Sequence, residues 1–351
     1  MLSVLMATHN GARTLPTVLN AHCALKQPQG GWKLIIVDNG STDTTREVVY
    51  AFADRLPLTY VFEPKRGKNA ALNTGLSRIE GDLVVFTDDD AVPVPEWLVE
   101  LRATADSHPS FSIFGGVILP RWESTPEPWI LSWVDLAATF ALTDPSWEEG
   151  PTTPRRVFGP NSAYRANIFE SNYTFNTAIG PSGKNYAMGS EHELNVRLIK
   201  AGFSAWHCRR AIVEHIIPEE RMNKRWILAR AFRSGRGYYR VEMKDEIKYP
   251  RLSFGVPRFI IREIMGQALQ VANAKLRGNE HKLFLERWKL NFLIGKAYEA
   301  RIIYRPCQLR ERVSSDGGDE ESLSIEQFKS DGAKDGLGGS GQEALREQRR
   351  P

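Results

Sequence analysis

Apolar positions in the first half of the chain come in short unbroken runs. Residues 2–8 (LSVLMAT), 33–40 (KLIIVDNG), 58–64 (LTYVFEP) and 82–90 (DLVVFTDDD) read as strands. Between them, residues 12–25, 42–56 and 67–79 carry helical periodicity. Thr42 or Asp43 is placed to cap the second of these helices, and Gly67 opens the third. Strands without polar alternation are buried on both faces, and their alternation with helices predicts a parallel sheet covered on both sides. Such sheets bind ligands beyond the carboxyl ends of their strands. Asn10, Asp38 and the cluster Asp88, Asp89 and Asp90 all stand at such ends.

From about residue 110 the pattern changes. Residues 112–120 (SIFGGVILP) are another strand, and 120–155, rich in Trp, Pro and Glu, read as an irregular lid-like insertion. Residues 189–202 form a helix stopped by Gly202, and 203–215 (FSAWHCRRAIVEH) a strand pair or one long strand. A basic helical stretch follows at 219–242, then amphipathic helices over 256–305. Past Arg312 the chain is polar and rich in Gly and Ser, the composition of a disordered tail. The expected organisation is a globular domain over 1–240, a helical, membrane-associating region over 241–312, and the tail over 313–351.

Composition narrows the picture slightly. The hydrophobic share of 42% is ordinary for a globular protein. A net charge of +4 suits anionic partners but is too small to indicate nucleic acid, and none is expected. Cys23, Cys208 and Cys307 have neither metal nor disulfide spacing, which points to a reducing compartment. Met1 runs straight into a strand, without the pattern of a signal peptide. The longest apolar stretch, 259–276, is broken by Arg262, Glu263 and Lys275 and is unfit to span a bilayer. The expectation is a cytoplasmic protein, peripheral on the inner face of the cell membrane, with the basic amphipathic helices either lying on that surface or packing on the domain.

The candidate chemistry starts from FTDDDAVP, residues 86–93. Three adjacent carboxylates at the end of a buried strand repel one another unless a cation sits among them. Mg2+ or Mn2+ takes carboxylate oxygens and shares them with phosphates, so a diphosphate site is expected there. An acidic helix cap before residues 95–105 is the plainer alternative. Asp38 is placed either to accept from a base or ribose hydroxyl or to serve a turn. Lys68 stands at a helix start, where the dipole disfavours a cation, and a bound anion explains it better than solvent does.

These residues occur in order with others. SVLMATHNG, IIVDNGSTD, GKNAALNTGL, FTDDDAVPVPEWL, FGPNSAYR, GSEHELNVRLIKAG and IVEH together resemble family 2 glycosyltransferases of bacterial surface-polysaccharide type, over residues 1 to about 240. The resemblance implies an α/β GT-A fold: a Rossmann-like, mostly parallel sheet with helices on both faces, here followed by C-terminal amphipathic helices. It implies that Thr8, Asn10, Asp38, Lys68, Asp88 and Asp89 meet a nucleotide-sugar donor. Gly159 and Asn161 would face donor and acceptor, and Asp88, Asp90 and His215 would hold a divalent metal. Glu191, counted back from Arg197 in ExxxxxR, falls at the family's catalytic aspartate, with Ser190 in place of the preceding glutamate. The longer arm keeps the carboxylate, and Glu193 is the rival.

The implied reaction is metal-dependent, inverting transfer of a sugar to a hydroxyl of a glycan or polyprenyl-diphosphate-linked acceptor, with Glu191 as general base. Arg221, Arg225, Arg230, Arg233 and Arg236 are candidates for donor or acceptor phosphates, or form a solvated basic face. Two other readings stay open: a nucleotidyltransferase, disfavoured by the single glycine in THNGARTL, and a noncatalytic nucleotide-sugar-binding protein, disfavoured by the intact carboxylates.

Overall fold

The computed structural model describes residues 1–183, 186–244 and 251–315. The first half alternates as expected: β1 (Leu2–Thr8), α1 (Leu15–Cys23), β2 (Trp32–Asp38), α2 (Thr45–Tyr50), β3 (Leu58–Phe62), α3 (Lys68–Leu76) and β4 (Leu83–Asp88). Then come β5 (Ala91–Pro93), α4 (Trp97–Ser107), β6 (Ile113–Trp122), α5 (Pro128–Trp133), α6 (Leu136–Phe140), β7 (Gly150–Thr152), β8 (Ser162–Arg165), α7 (Asn167–Glu170), α8 (Ser190–Lys200) and β9 (Ala205–Ile217). The chain continues through α9 (Lys224–Tyr238), a π-helical turn (Tyr239–Met243), a small hairpin of β10 (Leu252–Ser253) and β11 (Val256–Pro257), α10 (Arg258–Leu276) and α11 (Glu280–Ser315).

One nine-stranded sheet runs β3-β2-β1-β4-β8-β6-β9-β5, with β7 also on β9. The strands β3, β2, β1 and β4 are parallel, and β8 is antiparallel to both its neighbours. Because β1 lies between β2 and β4, the chain leaves it in both directions, and a crevice opens at its carboxyl end. Period-two alternation splits the core. Leu2, Val4 and Met6 of β1 join one buried cluster with α1 and α4, while Leu5 and Ala7 join the other with α3 and α8.

Residues 203–215, expected as a strand pair or one strand, fall mostly in the single long strand β9. Its pairing with β6 jumps between Gly116 and Val117, where Arg209 and Arg210 bulge out to solvent. The bulge leaves carbonyls unserved by the ladder. Asn161 donates to two of them, Val117 and Ala211, both at 2.9 Å, and accepts from Trp97 Nε1 at 2.8 Å.

The reading of 120–155 as irregular is corrected. β6 extends to Trp122, α5 and α6 follow, and Ile130, Val134, Phe140 and Leu142 are buried in the main core. Phe140 stacks on Trp226 of α9 at 5.8 Å, and Trp122 and Trp129 of this stretch pack on Phe140 at 5.6 Å and Phe284 at 5.5 Å.

The C-terminal helices pack on what precedes them. Gly235 and Gly295 let α9 and α11 meet at their backbones: a Cβ at Gly295 would lie 2.0 Å from the carbonyl oxygen of Phe232. Glu299, fully buried, pairs with Arg236 at 2.8 Å and with Arg240. Phe284 inserts beside Trp129 and Trp133. α10 rests on α11 through Gln267 to Glu286 and Lys296 to Glu263. A boundary at 240 therefore divides one compact unit, Met1–Pro306. The second unit, Cys307–Pro351, is described only to Ser315, within α11; the rest of the expected tail, 316–351, lies outside the described residues. Among the described residues no helix is long and apolar enough to cross a membrane.

Candidate active site

A cleft of about 1060 Å³ opens at the carboxyl ends of β1, β2 and β4. One wall carries Thr8, His9, Asn39 and Asp88 to Asp90; the other carries Trp226, Arg230 and Arg233 of α9, with Phe292 of α11. Gly159, Lys68, Glu191 and His215 line it as well.

The three aspartates have three environments. Asp88 is paired with Lys68 Nζ at 2.6 Å; burial, ahead of that cation's opposing pull, pushes its carboxyl up. Asp89 accepts from Thr8 Oγ1 at 2.5 Å, and burial, then the charge of Asp90, pushes it up to about 7. Asp90 faces His215 Nε2 at 3.4 Å and Arg221 Nη1 at 3.2 Å. Burial would raise Asp90 too, but those two cations outweigh it and hold its carboxyl below the ordinary range. His215 Nδ1 hydrogen-bonds the Phe140 carbonyl at 2.7 Å, so the ring's orientation is set by the insertion between β6 and β7.

Glu191 sits in the first turn of α8, directly after Ser190, where a carboxylate suits the helix dipole. It meets Lys68 Nζ at 3.1 Å, and although burial works against ionisation, that cation keeps Glu191 below its usual range. Gly159 lies under this carboxylate so closely that a Cβ there would be 2.2 Å from Oε1. Lys68 thus bridges Asp88 and Glu191, and the anion that explains a lysine at the start of α3 comes from the protein itself. Glu193 is bound to Arg197 at 2.9 Å and does not line the cleft.

Other expected residues lie elsewhere. Asn10, at φ 56°, clasps the following loop by accepting from Thr42 N at 2.8 Å. Both oxygens of Asp38 are engaged, by Ser41 N and Tyr60 OH at 2.8 Å each, and its neighbour Asn39 lines the cleft instead. Asn161 faces the core rather than donor or acceptor, because its amide serves the β6–β9 bulge. Tyr186, in the loop before α8, and Trp226 and Phe292 escaped sequence reading: a loop aromatic carries no pattern, and a single aromatic in a helix reads as core unless the facing wall is known.

The donor set fits a divalent ion in part. The Phe140 carbonyl fixes His215 so that Nε2 points at Asp90, an arrangement suited to a histidine ligand. Asp88, the third expected ligand, is tied to Lys68. Among the described residues no group of three His, Cys, Asp or Glu side chains is arranged to hold a metal, so an ion at Asp90 and His215 needs further oxygens, such as those of a diphosphate.

Comparison with known proteins agrees with this geometry. Residues 3–171 match the Glycosyl transferase family 2 profile. Glycosyltransferase AglE of Haloferax volcanii is 24% identical over 320 residues, covering 89% of this chain and 94% of that protein. The glucosyl-dolichyl phosphate glucuronosyltransferase of the same organism is 24% identical over 72% of this chain and 79% of its own. Succinoglycan biosynthesis protein ExoM of Rhizobium meliloti is 26% identical over 65% and 71%. A mannosyltransferase of Pyrobaculum calidifontis, PcManGT, solved with GDP-Man and Mn2+, shares the fold with a TM-score of 0.52 at 20% identity, over 90% of this chain and 79% of that one. Sheet order, strand-end carboxylates and relatives converge on the family 2 glycosyltransferases, whose profile the chain matches over residues 3–171.

Proposed function

We propose that the chain transfers a sugar from a nucleoside-diphosphate donor to a hydroxyl of a glycan or lipid-linked acceptor, in one inverting displacement. The observation that carries this is the separation of two carboxylate centres in one cleft: Asp90 with His215 and Arg221, and Glu191 with Lys68. The donor's nucleoside lies toward Thr8, Asn39 and Asp89, with its diphosphate toward Asp90 and His215. Asp90 and His215 would hold a Mg2+ or Mn2+, which would supply positive charge for the departing diphosphate. Glu191, kept ionised by Lys68, takes the proton from the attacking hydroxyl. Lys68 pairs that carboxylate before the hydroxyl arrives, and when Glu191 takes the proton and becomes neutral, Lys68 keeps Asp88 as its partner.

Relatives support this choice of substrates. The glucuronosyltransferase relative is named for a dolichyl phosphate substrate, and the fold relative was solved with a nucleotide-sugar. Association with an anionic membrane surface through α10 accompanies the lipid-linked alternative.

The test is a panel of UDP-, GDP- and dTDP-sugars with nucleoside diphosphate release as readout, with and without acceptor extracts. Release should stop on exhaustive chelation and return with Mn2+ or Mg2+. Full activity after chelation would refute the metal, and release of sugar 1-phosphate instead, as the nucleoside monophosphate is transferred, would make the chain a nucleotidyltransferase.

A further inference from the structure

α9 carries a row of arginines, and the structure treats them unequally. Arg236 and Arg240, at and just beyond its C-terminal end, share the buried carboxylate of Glu299. Arg221, just before the helix, is paired with Asp90. Arg230 and Arg233, three positions apart and so on one face, line the cleft, and among the described residues neither forms an ion pair. The Nε atoms of both are shut off from solvent and hydrogen-bond nothing. Rings cover them instead: Arg230 lies 5.4 Å from the Trp226 centroid, and Arg233 5.5 Å from Tyr186 and 5.9 Å from Trp226.

Two guanidinium groups side by side in a part-buried wall repel each other, and burying donors without acceptors costs free energy. Burial, and after it the charges of Arg233 and Arg221, hold Arg230 down to about 10. A fold that pairs Arg221, Arg236 and Arg240, leaves Arg225 to solvent, and gives this part-buried pair no ion pair has a place for an anion. Guanidinium forks suit phosphate oxygens.

The surroundings say which phosphate. The donor's expected nucleoside end, at Thr8 and Asn39, is built from the ends of β1 and β2, whereas the arginines come from α9, where Arg230 is close enough to feel the charge of Asp90. At about 1060 Å³ the cleft stands at the top of the usual range for a ligand site, roughly 300–1,000 Å³. Past the arginines the lining turns apolar and aromatic, with Trp226, Phe292 and Tyr238, the last two rings 5.5 Å apart. Tyr238 is itself exposed, so this lining reaches the surface.

We propose that Arg230 and Arg233 hold the phosphate of the acceptor, and that the acceptor is a prenyl-type lipid phosphate or diphosphate whose chain leaves over Phe292 and Tyr238. The proposal rests on the transferase reading given above and names its second substrate.

The probes are geranylgeranyl diphosphate, inorganic pyrophosphate, and UDP and GDP with Mn2+, each titrated into the full chain by calorimetry. Arg230→Gln/Arg233→Gln should weaken geranylgeranyl diphosphate roughly tenfold or more, with UDP and GDP within about twofold of wild type. Arg230→Lys/Arg233→Lys keeps the charge and should recover part of the loss; it also replaces the first pair if that pair does not fold by circular dichroism. Equal loss of nucleoside diphosphate binding would assign the arginines to the donor and overturn the proposal. Unchanged geranylgeranyl diphosphate binding would do the same. Pyrophosphate binding as tight as geranylgeranyl diphosphate would remove the lipid half. Nucleoside diphosphate release by wild type is read separately: lipid phosphate binding without any release keeps this site and loses the transferase reading.

Discussion

Glu191 and Glu193 are two residues apart, and the fold gives them unrelated surroundings. One opens into the cleft beside Lys68; the other is spent on Arg197. Glu191→Gln keeps the shape and loses the proton acceptor. Turnover should fall by ~10²–10⁴ with donor Kd little changed, since a transition-state interaction alone is removed. Glu193→Gln should stay near wild type in rate; the reverse result would move the base. Spacing from Arg197 made Glu191 legible in the sequence. Asn161 was not, because its partners are carbonyls of a bulge between strands that sequence does not pair. His22 gives a second residue-scale expectation. It is buried between Trp32 and Trp97 with Nδ1 on the Val18 carbonyl, and burial lowers it from 6.5 to about 4. The unfolded chain therefore takes up its proton first. The contribution is fully present above about pH 6.5 and is lost as pH falls through about 4, amounting to about 3 kcal/mol. Denaturant midpoints for wild type and His22→Phe should diverge over that window, and parallel curves would disprove the assignment.

At the scale of elements, the strands of the first half were legible because buried parallel strands are simply apolar. The stretch 120–155 was not, because Trp and Pro mark both loops and packed short helices. The C-terminal helices were legible as amphipathic, but not which side faces what. α11 turns its apolar side to α9 and the core. α10 leaves Met265, Leu269 and Leu276 exposed at 64%, 71% and 88%, near Phe254 in sequence at 89%. Arg258 and Arg262 are exposed along the same helix. An apolar stripe with basic flanks suits an anionic bilayer. Met265→Ser/Leu269→Ser and Arg258→Glu/Arg262→Glu should each reduce flotation with phosphatidylglycerol liposomes; flotation equal to wild type in both would reject the surface. Substitutions are the sound route, since cutting the chain near 250 would strip Phe284 and Glu299 from the core. The α9–α11 crossing has its own expectation. Gly295→Ala puts a methyl 2.0 Å from a carbonyl oxygen, so the helices must separate, at upward of roughly 1–3 kcal/mol. A melting temperature unchanged from wild type would show that the crossing tolerates it.

For the whole molecule, topology explains why the strand-end residues were the readable part of the site. β1, β2 and β4 adjoin, so their terminal residues meet whatever the loops do. The opposite wall comes from α9 and α11, more than 130 residues after β4, and no local pattern announces that they fold back over the same crevice. The metal question sits between these cases. Asp90 and His215 are joined by the pairing of β5 with β9, which brings Ala91 opposite His215, a contact that the spacing of the two motifs does not reveal.

The glycines at 235 and 295 lock α9 against α11 with no side chain between them, and Gly237 sets the same helix on the Met188 carbonyl. A wall fixed through backbone contacts cannot be retuned by trading one side chain for another. Its neighbours can vary in sequence while its position stays put. Diversification of such an enzyme therefore has two separate handles: what α9 displays is free to change residue by residue, whereas how far it stands from the nucleotide can shift only if both helices move together.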